Sequence, residues 1–125
     1  MCRPRLSIVL LIGAALVLSG CSLFSSPSRT TKNFYLAVEA GNLEEAIKLV
    51  SNKAKSAMGE EKMRAMLGEA TRKIKQHGGI DSIEITKEET TGEIADVIGT
   101  IKYKDGTSEN INQKLVKENG DWKLQ

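Results

Sequence analysis

Residues 92–124, GEIADVIGTIKYKDGTSENINQKLVKENGDWKL, carry the fold in their punctuation. Asp105-Gly106 and Asn119-Gly120 each separate segments in which apolar and polar side chains alternate. Such pairs adopt the left-handed backbone of tight hairpin turns, so they mark reversals between strands. The alternation predicts a strand over 94–104, a return through about Lys117, and a short last strand over 122–124. Just upstream, Ser82-Ile83-Glu84-Ile85-Thr86 alternates in the same way, and Thr91-Gly92 turns the chain. The pattern is that of an antiparallel meander.

Before residue 80 the period changes to that of helices. Met63, Met66, Leu67, Ala70 and Ile74 form one stripe, with Glu60 and Glu61 early and Arg72, Lys73 and Lys75 late, the order a helix dipole favours. His77-Gly78-Gly79 ends this helix, and 51–59 is a polar connection with some helical character. Earlier still, Leu43, Ala46, Ile47 and Val50 recur at helical spacing after Asn42, with Glu45 as a capping-box partner. A first helix carries Phe34, Tyr35 and Val38, has its N-cap at Thr30 or Thr31, and closes at Gly41. Helices first and a meander after them give an α+β domain with helices on one sheet face.

The amino-terminal segment follows a different logic. Arg3 and Arg5 precede an apolar run over 6–18, which is shorter than the roughly 20 residues a membrane-spanning helix needs. It has the length of a signal-peptide core. Leu18-Ser19-Gly20-Cys21 resembles the lipobox of bacterial lipoproteins. That resemblance implies diacylglyceryl transfer to the Cys21 sulfur and cleavage before it, with Leu18, Ser19 and Gly20 as the signal-peptidase recognition residues. Two or three acyl chains make a durable anchor where one is marginal. A simple secreted protein or an uncleaved anchor is the plainer alternative, but charge, run length, small residues and cysteine all favour the lipobox. The division expected is 1–20 signal peptide, 21–28 lipidated cysteine and tether, and 29–125 folded domain. Ser22, rather than Asp, follows Cys21. In a Gram-negative host this implies the outer membrane, periplasmic side.

Removing Arg3 and Arg5 reduces 18 basic residues to 16, equal to the 16 acidic ones. A formally neutral mature chain offers no electrostatic footprint for nucleic acid. Cys2 lies in the removed segment, which leaves no thiol for a disulfide or a thiolate metal site.

Phe34-Tyr35-x-Ala37 leading to Gly41-Asn42 and Ala46, with Tyr103-x-Asp105-Gly106 and Leu115 through Lys123, resembles small bacterial lipoproteins with a nuclear-transport-factor-2-like domain of unknown function. The resemblance covers 29–125 and implies a curved sheet wrapped around helices into a cone. Some members of that fold use the cone as an active site, and others are binding or assembly modules.

Three readings of function follow. The leading one is a non-enzymatic, membrane-tethered module with a protein partner in the cell envelope. The second is a carrier or sensor of a small apolar ligand in the cone interior, with Tyr35, Ala95, Val97, Gly99, Ile101 and Tyr103 as pocket lining; for Gly99 and Ala95 the plainer reading is room for a close-packed helix. The third is an isomerase- or dehydratase-like enzyme using Asp96 and Tyr103. Parity opposes it, because in a regular strand an even and an odd residue face opposite sides. A bulge at Gly99 would change that relation. His77, the sole histidine, reads as a polar residue at a helix end rather than a base or ligand. Neither cofactor nor metal is expected. Met58, Met63 and Met66 read first as core and only secondarily as an adaptable binding surface.

Overall fold

A computed structural model of the protein describes residues 25–125, so the expectations on Leu18, Ser19, Gly20 and Cys21 fall outside the described residues. Helix α1 spans Pro27–Ala40, α2 Leu43–Lys48, α3 Asn52–Met58 and α4 Glu60–Gln76. Strands β1 (Ile80–Thr91), β2 (Ile94–Tyr103), β3 (Ser108–Glu118) and β4 (Asp121–Leu124) follow as one antiparallel sheet in sequential order.

Helix α1 starts before the expected Thr30 or Thr31. The Ser26 hydroxyl accepts from the Arg29 amide at 3.1 Å, and Pro27 sits in the first turn. Proline is preset for that position and lacks the amide that would otherwise go unpaired, so Ser26-Pro27 makes the better start. Pro27 and Ser28 thus belong to the helix rather than to a tether, and Thr30 and Thr31 are buried inside it. At the other end Gly41, with φ 75°, closes the helix through bonds to the Ala37 and Val38 carbonyls. The capping box expected at Asn42 does not form: Asn42 makes no side-chain cap bond, and Glu45 pairs with Lys48 at 3.1 Å. The polar connection over 51–59 is mostly α3, capped by Ser51 on the Ala54 amide.

On α4 the buried side is Met63, Leu67, Thr71 and Ile74. Met66 is 51% exposed, a correction to the expected stripe. At 100° per residue it lies on the flank of the row through Met63, Leu67 and Ile74.

Strand β1 runs much further than its alternating centre, through the polar residues 87–91. Pairing accounts for this: Lys87, Glu88 and Thr91 stand opposite Ile98, Val97 and Ile94. Register shifts at Asp81 and Thr86 bend the strand. Gly99 stands opposite the second shift, and a β-carbon there would collide with the Glu84 carbonyl oxygen. The glycine therefore admits the β1 backbone, not a helix, and the bulge is in β1 rather than in β2.

One face of the sheet carries Ala95, Val97, Ile101 and Tyr103 from β2, Ile111 and Leu115 from β3, and Trp122 and Leu124 from β4, all buried. Two clusters form on it. Ile101, Tyr103 and Ile111 pack with Val38, Ile47, Leu67 and Ile74 of the helices. Ala95, Val97, Leu115, Trp122 and Leu124 make the other, closed by Phe34 and Leu49. The β4 edge is capped by the α2–α3 link, where the Ser51 amide donates to the Leu124 carbonyl and the Leu124 amide to the Leu49 carbonyl, each at 2.7 Å.

Candidate functional site

The layer between helices and sheet is not completely filled. Between α1, α4 and the end of β2 lies a cleft of about 160 Å³, lined by Phe34, Tyr35, Val38, Leu67, Ala70, Lys73, Ile74, Ile101, Tyr103 and Glu109. Its floor is apolar and its polar groups converge at one side. Helical spacing places Phe34, Tyr35 and Val38 of α1 beside Ala70, Lys73 and Ile74 of α4. Strand parity places Ile101 and Tyr103 on the same face.

The Tyr103 hydroxyl donates to Glu109 Oε2 at 2.9 Å, and Lys73 Nζ lies 3.8 Å from that same oxygen. Burial, then the hydrogen bond to Glu109, pushes the Tyr103 hydroxyl up to about 12. Burial and the Glu109 charge also raise Tyr35. Both phenols stay protonated well above neutral pH, and Tyr103 is the one that donates to Glu109. The Phe34 and Tyr35 rings meet edge to face with centroids 5.5 Å apart.

Tyr103 is braced from behind. The His77 imidazole stacks on its ring at 4.7 Å, and His77 Nδ1 lies 2.7 Å from Asp105 Oδ2. Asp105 also accepts from the Thr107 hydroxyl and amide, and these bonds, followed by the one to His77, lower its carboxyl to about 2. His77 thus ends α4 as expected and also ties it to the β2–β3 turn, which its sequence position did not reveal.

Of the six lining residues expected, Tyr35, Ile101 and Tyr103 reach this cleft. Ala95 and Val97 do not: they are sealed under Trp122, Leu115 and Leu124. Gly99 meets β1. Asp96 lies on the opposite sheet face, 3.4 Å from Lys114, so it and Tyr103 do not share a cavity. The acid beside Tyr103 is Glu109, which the sequence reading passed over. Parity could have found it, since residues 109, 111 and 115 share one face of β3.

A second, larger groove of about 280 Å³ lies between α3, α4 and the chain end, lined by Phe34, Val50, Ala54, Met58, Met63, Met66, Leu67, Gln113, Leu124 and Gln125. Among the described residues there is no group of three or more metal-ligating side chains, and no helix is long and apolar enough to cross a membrane.

Helices on a four-stranded antiparallel meander, with a cleft left between the layers, make an α+β fold of the kind seen in a nuclear-transport-factor-2-like structure. The chain belongs to the DUF4878 family, a domain of unknown function, which matches residues 19–125. A solved structure from Campylobacter jejuni, provisionally named an NTF2-like transpeptidase, is similar at TM-score 0.69 and 20% identity over 80% of this chain and 97% of that one. A SEC-C motif containing protein from Rhodopseudomonas palustris is similar at TM-score 0.53 and 13% identity over 80% of this chain and 75% of that one. Identities this low establish the shared fold alone. No curated protein sequence matches the chain.

Proposed function

We propose that the protein is a lipoprotein, anchored through Cys21, whose domain is a non-enzymatic binding module of the cell envelope and uses the cleft between helices and sheet as its binding element. The observation that carries the binding reading is that cleft: an apolar floor with a few convergent polar groups is the usual form of a small-ligand site. The anchor rests on the lipobox, and the family match takes in Ser19, Gly20 and Cys21. The fold begins at Ser26, so the link from Cys21 spans at most about 20 Å when extended and holds the domain close to the bilayer. In a Gram-negative host the anchoring membrane would be the outer one. A binding role is preferred to catalysis because Asp96 and Tyr103 face opposite ways and Tyr103 is held as a donor. The second reading, assembly with an envelope protein, is favoured by Met66, which stands half exposed on the larger groove beside Met58 and Met63.

Two measurements on one membrane preparation test the proposal. Intact-mass spectrometry should find mature protein starting at Cys21 with acyl mass on it; an unacylated Cys21 ends the anchor reading. Methyl NMR of the same protein with a small-fragment set should move the Ile74 and Ile101 signals. Movement at neither residue would leave the cleft without a binding role.

A further inference from the structure

The character of the cleft limits what it can hold, and the inference below rests on the cleft being a binding site. Its 160 Å³ is close to the size of an engineered apolar cavity that takes benzene, so it suits a side chain of about six carbons or fewer. Its polar side carries one charge of each sign, Lys73 and Glu109. The carboxylate is held in place: Oε2 accepts from Tyr103, and Oε1 has no hydrogen-bond partner among the described residues. The cation is loosely held. Lys73 and Glu109 are 60% and 50% exposed and 3.8 Å apart, and ion pairs of that kind cost little to open.

We infer that the cleft binds a zwitterionic α-amino acid with a small apolar side chain. The side chain enters the floor formed by Val38, Leu67, Ile74 and Ile101. The ammonium takes the free oxygen of Glu109, whose other oxygen accepts from Tyr103. The carboxylate takes Lys73, which turns away from Glu109. A ligand with an ammonium alone meets Lys73 as a like charge, and one with a carboxylate alone meets Glu109 so. Only the zwitterion replaces the Lys73–Glu109 pair with two matched ones.

Calorimetric titration of the full chain in detergent separates the possibilities, using L-leucine, isoamylamine, 4-methylpentanoate and isoamyl alcohol. Leucine should bind at least about tenfold tighter than either singly charged analogue, the loss expected when a charged partner goes unmatched. Glu109→Gln should erase the preference over 4-methylpentanoate, and Lys73→Met the preference over isoamylamine. Retained binding of isoamyl alcohol shows that each variant keeps the cleft. A ratio below about tenfold for either analogue, or a variant that keeps its preference, overturns the zwitterion while the cleft remains a binding site. Absence of heat from all four compounds at two well-separated temperatures overturns both, because apolar burial changes the heat capacity and is not silent at both.

Discussion

Among the described glycines, Gly99 leaves the least room for a side chain. It is buried on β2, opposite the β1 bulge, and any side chain would drive into the Glu84 carbonyl. Gly99→Ala should cost on the order of 2–3 kcal/mol, read from the urea midpoint, because backbone cannot move aside as a flexible side chain can. Tyr103 supplies a second, pH-dependent test. Its hydroxyl titrates near 12 in the folded protein and near 10 in an unfolded chain. Between those values the unfolded state loses the proton first, so stability is complete below pH 10 and falls as pH rises toward 12. Tyr103→Phe should flatten the fall in melting temperature across that window, and a profile as steep as the parent's would contradict the assignment. Glu109 was within reach of the same period-two logic that picked out Tyr103. It was missed because a single acid in the run Ser108-Glu109-Asn110 reads as solvated until the strand's buried face is known.

At the scale of elements, the caps and turns explain where each segment stops. Ser26 caps α1 and Ser51 caps α3, whereas Asn42 makes no side-chain bond at the start of α2. Ser26→Ala should therefore lower stability by about 1 kcal/mol, and Asn42→Ala by clearly less, in chemical denaturation followed by circular dichroism. Equal losses would mean that the helix starts are wrongly ordered. Helix periodicity placed α4 correctly but misjudged Met66, because a wide apolar stripe has flanks and only the neighbouring helix determines which flank is covered. Strand β1 shows the converse. Its polar end, Lys87 through Thr91, does not alternate and is recruited by pairing with Ile94 through Ile98 of β2.

For the whole molecule, the described fold begins at Ser26 and closes at Leu124 against the α2–α3 link, and on the proposed lipoprotein reading it is expected to stand without the anchor. Cys21→Ala should leave precursor or a differently cleaved form without acyl mass. A soluble piece of residues 25–125 should unfold at the same urea midpoint as the lipidated protein. A large drop in that midpoint would show that the amino-terminal segment takes part in the fold.

The chain's own chemistry, in one dimension, determined the order of helices and strands, the hairpin turns at Asp105-Gly106 and Asn119-Gly120, and the face on which each β2 side chain lies. These depend on backbone conformation and on a period of two or 3.6, which neighbouring residues impose on one another. Tertiary structure alone decided which part of that face is core and which is cleft. Ala95 and Tyr103 share a face and a strand, yet β4 seals the first with Trp122 and Leu124 while α1 and α4 leave the second beside an open space. Local periodicity says which way a side chain points. How closely another element packs over it depends on long-range pairing and helix placement, and on this point residues near one another in sequence carry no information.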